Sequence, residues 1–531
     1  MHDSDTPVRI VETPSRHGEH AAARILPLIR LAANDDVRIP RIVIIGGGFS
    51  GIGMAIRLRQ AGIDDFVILE RAAAHGGTWR DNSYPGCACD VQSVLYSYSF
   101  APNPDWSRTF SPHDEIWAYL RQCATGYDID RHFIFGETVR SAAWNDERQQ
   151  WTVQSTSRSW RADVVIMATG GLSDPVLPMI DGIATFAGAM FHSAQWRHDI
   201  DLGGKRVAVI GTGASAIQFV PRVQPQVAHL AVFQRTPPWI MPRRDAAIAS
   251  WRKRLYRHVP VLQRAHRAAT YLLREALHLP FRNLRAARVA EWVARRHMQA
   301  QVTDTVLRAK LLPAYRIGCK RILVSDDYYP ALTQPNVALV TSAITSIEAD
   351  GVRTADGALH AADVLIVGTG FRPTDPPLAP HIIGRSGESL AATWQGSPRA
   401  YMGTSHAGFP NFFTLMGPNT ALGHSSVLLM VEAQIEHVLG VLRYMATRDI
   451  AAAEPDAVAQ RAWVAAVDAR LQATTWNSGG CSSWYIDATG RNSTLWPDGV
   501  GRFRRMVARI DPNAYRWTAR RDTRAPEVIH D

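Results

Sequence analysis

Cysteine is scarce in this 531-residue chain: five occur, and none forms a CxxC pair. Thiol-based zinc sites usually separate paired cysteines by roughly two to four residues so that both turn toward one ion. The densest stretch, His75 to Asp90 (HGGTWRDNSYPGCACD), instead holds Cys87 and Cys89 with a single residue between them. A strand would send those side chains to opposite faces, and no second Cys or His pair follows, so no metal site is expected. Nor does the spacing suit a disulfide framework, which predicts a reducing, cytoplasmic setting. Long apolar runs are missing as well: none reaches the roughly eighteen residues that mark a membrane span, and the first twenty residues are polar and mixed in charge. No transmembrane segment is expected.

Positive charge is concentrated in one region. Residues 251–321 hold 17 Lys/Arg and 3 Asp/Glu, a local charge of +14 in a chain of net charge +10. The same stretch has apolar residues at mixed three and four spacings and reads as helix. Such a block fits a solvated face, attraction for a polyphosphate cofactor, or peripheral contact with a membrane surface. No recognition motif accompanies the charge, so no nucleic-acid partner is expected.

What is present is a pair of dinucleotide signatures. RIVIIGGGFSGIGMAIRLRQAG runs a buried strand into Gly46-x-Gly48-x-x-Gly51 and then a helix, a context that lets a pyrophosphate approach the helix N-terminus. The next strand ends in Glu70, 24 positions after Gly46, where a carboxylate accepts hydrogen bonds from ribose hydroxyls and repels a 2′-phosphate. The second unit, KRVAVIGTGASAIQFVPRV, carries Gly211-x-Gly213-x-x-Ala216 and has Arg235 and Thr236 at the matching offset. A guanidinium pairs with phosphate through a planar fork, so the first site predicts an unphosphorylated adenosine ribose, as in FAD or NAD, and the second NADPH. Apolar strands running into Thr-Gly turns at ADVVIMATGG and ADVLIVGTGF add punctuation, as does Gly417-Pro418-Asn419 ahead of an apolar helix. That helix's N-terminus would suit the electron-rich edge of a reduced flavin.

From about Arg41 to about Trp496 the chain resembles the class B flavoprotein monooxygenases, and among them the type I Baeyer-Villiger monooxygenases. FAGAMFHSAQW matches the family fingerprint FxGxxxHxxxW through Phe186, Gly188, His192 and Trp196, although Arg197 stands where the family commonly has Pro or Asp. HGGTWRDNSYPGCACD fits a second family motif through Gly76, Gly77, Trp79, Tyr84, Pro85, Gly86 and Asp90, a segment that in the family lies against the flavin, so the resemblance makes Gly77, Thr78, Trp79 and Asp90 cofactor-binding candidates, beside Asn419 of the Gly-Pro-Asn turn. IGCKRILVSDDYY resembles the family's Lys-Arg pair, which implies Lys320 toward the NADP phosphate and Arg321 over the flavin, with Asp90 orienting it. SSWY resembles a family loop whose tryptophan, here Trp484, helps close the site. The resemblance implies NADPH reduction of FAD, capture of O2 as a C4a-peroxyflavin, and insertion of one oxygen atom beside a ketone carbonyl to give an ester or lactone. Arg321 and Asp90 are the implied catalytic residues.

The expected fold is α/β with two Rossmann-like dinucleotide-binding domains. An FAD domain is expected over residues 1–175 and 376–531, with a short N-terminal extension over 1–38; an NADPH domain over 176–375 carries a basic helical insertion near 245–315. The alternatives are a sulfur- or nitrogen-oxygenating flavin monooxygenase, a disulfide reductase, disfavoured by the missing CxxC, and a flavoprotein sensor or peripheral membrane module.

Overall fold

Short runs of β-branched residues become the centres of two parallel sheets, buried on both faces as their unbroken apolar character requires. The computed structural model describes residues 41–521; the extension expected over 1–38 lies outside the described residues. The chain lays down β1 (Ile42–Ile45), β2 (Phe66–Glu70), β3 (Phe133–Phe135) and β4 (Val164–Met167), then β5 (Ala189–His192), β6 (Arg206–Ile210), β7 (His229–Phe233), β8 (Val337–Val340) and β9 (Val364–Val367), and returns with β10 (Phe412–Thr414). One sheet has the order β10-β4-β1-β2-β3 and the other β8-β7-β6-β9-β5, every pairing parallel. The first sheet is thus completed by a strand from beyond the second, so its two flanks are separated in sequence by the whole of the other sheet.

Helices α1 (Phe49–Gln60) and α2 (Ala216–Val223) each leave the glycine turn of their sheet's central strand. Helices α3 (Ser250–His258), α4 (Pro260–Ala276), α5 (Leu284–Gln301) and α6 (Thr305–Leu311) fill the basic stretch. Helix α7 (Leu428–Ala446) is buried along most of its length and packs with α1 in one core, while α2, β6 and β7 share another. Each parallel sheet has an antiparallel companion: Val139–Asn145, Gln150–Ser155 and Ser159–Ala162 precede β4, and Ile344–Glu348, Gly351–Thr354 and Leu359–Ala361 precede β9.

One expectation is overturned. Cys319 and Cys481 form a disulfide, 162 residues apart in sequence, with Cα atoms 6.1 Å apart. No local spacing could announce it, because the fold alone brings the turn before Lys320 against the loop before Trp484. Cys87, Cys89 and Cys123 are free and buried. Among the described residues no helix is long and apolar enough to cross a membrane, and no group of three or more His, Cys, Asp or Glu could hold a metal ion.

Candidate functional site

Open parallel sheets bind ligands outside the carboxyl ends of their strands, and both sheets direct those ends into one cavity of about 990 Å³. Its walls come from the loops after β1, β2, β4, β9 and β10, the start of α2, and the segment around Trp484.

At the first sheet, a Cβ on Gly51 would lie 1.9 Å from the Gly46 carbonyl oxygen, so α1 can start on the turn only with glycine there. Gly46 and Gly48 line the cavity. Glu70 ends β2 buried, its Oε2 accepting from the Gly47 amide at 2.7 Å and its Oε1 from the Ala72 amide at 2.9 Å and Arg80 at 3.2 Å. Three of the roughly four acceptor positions of a carboxylate are thus taken, and Glu70 still borders the cavity.

At the second sheet, Ala216 is buried and half-buried Gly211 lies against the Gly368 carbonyl, which a Cβ would meet at 2.5 Å, while Gly213 faces the cavity; a Cβ on Gly213 would meet no atom within 4 Å. Arg235 is exposed after β7, followed by half-buried Thr236. Lys320 lies over the Tyr315 ring at 5.4 Å. Burial, then the nearby Arg235 cation, pulls its pKa down. Neither cation has an ion-pair partner among the described residues, an arrangement that favours an anion between them.

The segment from His75 to Asp90 straps the two sheets together. The Gly76 amide donates to the Gly47 carbonyl at 2.9 Å, placing Gly77 and Thr78 against the first turn. Trp79 Nε1 donates to the Tyr96 hydroxyl at 3.0 Å. Farther on, the Tyr84 hydroxyl donates to Gln218 Oε1 on α2 at 3.0 Å, and Gln218 Nε2 donates to the Ala88 carbonyl at 3.0 Å. Cys87 packs in the core of the second sheet and Cys89 in that of the first. Burial pushes the Cys87 thiol up to about 12 and Cys89 higher, so both are inert.

The strap ends at Asp90, whose Oδ2 accepts from Arg321 Nη2 at 2.6 Å and Nε at 3.1 Å; both residues line the cavity. Burial alone would raise the Asp90 carboxyl, but the Arg321 guanidinium outweighs it and holds the group below its ordinary value. Asp90 in turn raises the pKa of Arg321. A second guanidinium arrives from the basic block: Arg274 on α4 donates to the Asp90 carbonyl at 3.1 Å and to Gln92 Oε1 at 2.7 Å. Trp484 borders the same cavity, its ring 4.5 Å from buried Tyr485. Arg274, Gln218 and Tyr96 were not singled out from the sequence. The signal for Arg274 was a polar helix face, described below.

The fingerprint residues sit apart from this pair. His192 closes β5 opposite Val367 of β9, buried, with Nδ1 accepting from the Ala194 amide at 3.1 Å; burial pulls its pKa down. Trp196 packs against Phe191 and Phe219, and a Cβ on Gly188 would collide with the Asp363 carbonyl at 2.3 Å and with Phe186. Arg197 is exposed and pairs with Asp199. Asn419 is not among the residues that line the cavity: its Nδ2 donates to the Asn492 and Leu495 carbonyls and its Oδ1 accepts from Arg491. Gly417 and Pro418 face the cavity in its place, and Asn419, at φ +58°, ties their turn to the 490s loop.

The protein resembles known ones over most of its length. It is 49% identical over 477 residues to a Baeyer-Villiger monooxygenase of Streptomyces coelicolor, covering 90% of this chain and 92% of that protein. It is 46% identical over 481 residues to a Baeyer-Villiger monooxygenase of Pseudomonas aeruginosa, covering 90% and 91%. The crystal structure of cyclohexanone monooxygenase from Rhodococcus sp. Phi1 bound to NADP+ superposes with a TM-score of 0.81 at 27% identity, over 91% of this chain and 99% of that one. The model of the flavin-binding monooxygenase-like family matches residues 39–388, and with two glycine turns facing one cavity the chain belongs to that family.

Proposed function

We propose that the protein is an NADPH- and O2-dependent Baeyer-Villiger monooxygenase that inserts one oxygen atom beside the carbonyl of a ketone. The observation that carries this reading is the Arg321–Asp90 pair on the wall of a cavity shared by two dinucleotide turns. The residues present fit the two cofactors. The cavity accommodates large ligands, Gly213 leaves open space where a side chain would project, and the buried Ser425 and Thr494 hydroxyls on its wall have no protein partner.

When bound, FAD supplies the electron acceptor for NADPH and the place where O2 is activated. The chain's own residues then do the following. The turn at Gly46–Gly51 holds a pyrophosphate, and the remaining acceptor position of Glu70 takes a ribose hydroxyl. Gly213 admits the second pyrophosphate, while Arg235, Thr236 and Lys320 hold a 2′-phosphate and so select NADPH. Trp79, fixed by Tyr96, walls the redox centre, and the N-terminal end of α7 adds Val427 and Leu428 to the cavity lining. Arg321 stays protonated at any working pH. Its fixed positive charge would stabilise negative charge on the reacting oxygen, which favours attack on the electrophilic carbon of a ketone over oxidation of sulfur or nitrogen. Preorganised charge in a site shielded from water is worth roughly 3–4 kcal/mol. Asp90 orients that guanidinium, Trp484 closes the cavity over it, and His192 positions the return from the second sheet to the first. A small-molecule ketone as partner completes the reading.

The test is mass spectrometry of products from a ketone panel with NADPH under 18O2. Esters or lactones carrying one labelled oxygen atom are expected; sulfoxides from sulfides with no ester from any ketone would replace this reading with heteroatom oxygenation.

A further inference from the structure

Helix α4 is built inside out. A surface helix ordinarily turns its apolar stripe to the core and its polar face to water. In Pro260–Ala276 the inward face carries Gln263, His266, Arg267, Thr270, Tyr271 and Arg274. Their polar groups are spent on protein: Gln263 donates to the Asn103 carbonyl at 2.6 Å, Arg267 to the carbonyls of Val94, Leu95 and Ser97 at 2.9, 3.1 and 3.0 Å, and Arg274 to Gln92 and Asp90. The outward face presents Val261, Leu262, Leu272 and Leu273, with Ala265, Ala268, Ala269 and Ala276 between them. Val261, Leu272 and Leu273 are 62%, 65% and 59% exposed, and Leu279 just beyond the helix is 61% exposed. Arg264 is the one charged side chain on the exposed face. Seventeen helical residues make this an apolar strip about 25 Å long, longer than scattered surface leucines explain.

The surrounding charge decides what covers it. Across residues 250–312, Arg254, Arg285 and Arg288 are exposed and have no ion pair among the described residues, and Asp304 is the one exposed acid. A second copy of the chain would bring this basic surface against itself. An anionic lipid surface meets both demands: leucines enter the acyl boundary while arginines reach phosphates. We infer that the outward face of α4 lies in the surface of an anionic bilayer, as a monotopic contact that spans nothing. The same helix touches the Asp90 carbonyl through Arg274, so the strap that carries Asp90 and the lipid contact lie on opposite faces of one element. Such a contact places the enzyme where lipophilic ketones partition, and it requires none of the ketone chemistry to be correct.

The test is sedimentation of the full-length holoenzyme with vesicles of phosphatidylcholine alone or mixed with phosphatidylglycerol, compared with the double variant Leu272→Glu, Leu273→Glu. The parent should bind the phosphatidylglycerol vesicles at least about tenfold more tightly than phosphatidylcholine, and the variant should lose that binding while NADPH-dependent turnover in vesicle-free solution is unchanged. Failure of the parent to bind anionic vesicles, or equal binding by the variant, would overturn the inference. So would a parent that is dimeric by light scattering and a variant that is monomeric, because a second copy would then occupy the face.

Discussion

Asp90 and Arg321 meet across 231 positions of sequence over a single carboxylate oxygen. Because Asp90 is depressed below 3.8 in the fold, the sign is that of a paired carboxylate. The stabilisation is complete above the ordinary value and is lost only as pH falls below it through the folded one. The pH profile of ketone oxygenation should therefore show no acid limb from Asp90 above about pH 4; a limb near pH 5 or 6 that vanishes in Asp90→Asn would contradict this. The phosphate cations make a second residue-level prediction. Lys320→Ala and Arg235→Ala should each raise KM for NADPH about tenfold, the equivalent of roughly 1.4 kcal/mol, with KM for NADH little changed in steady-state assays. Raised salt should act in the same direction in the parent enzyme. Residues whose chemistry is carried by type and offset, such as Glu70 against Arg235, were legible in the sequence. The partners of the Asn419 amide were not, since they are Arg491 and carbonyls more than seventy positions away.

At the scale of elements, the strand–turn–helix units were legible because their signals are local: an apolar run, glycines at fixed spacing and a helix within some thirty residues. Helix α4 was legible as helix but not as to which side faces in. Its period is regular, yet the polar residues occupy the buried face, so the usual inference from periodicity inverts. The consequence is that an arginine from the basic block, a solvated charge by the simplest reading, reaches the Asp90 backbone. Arg274 thus positions the strap carrying Asp90. Arg274→Met should lower kcat for ketone oxygenation about ten- to a hundredfold, with KM for NADPH within about twofold of the parent. A change confined to KM for NADPH, or partial rescue absent in Arg274→Lys, would remove that role.

For the whole molecule, the order of strands followed from nothing local: β10 joins a sheet whose other members end at residue 167. The disulfide is a property of the same scale, closing a 162-residue separation and fastening the Lys320–Arg321 turn to the loop of Trp484. Closing so long a loop stabilises a fold by roughly 3–5 kcal/mol. Dithiothreitol should lower Tm of the holoenzyme by several degrees in differential scanning fluorimetry, and Cys319→Ser should show the lower Tm with no response to reductant. Equal Tm values would show that the cross-link contributes nothing to stability.

The most direct measurement of the central claim is the Arg321→Ala variant, followed by stopped-flow absorbance for flavin reduction and by gas chromatography for ester. The account predicts that NADPH still reduces the bound flavin while ester formation from ketones falls to background. Ester formed at the parental rate without that guanidinium would contradict it.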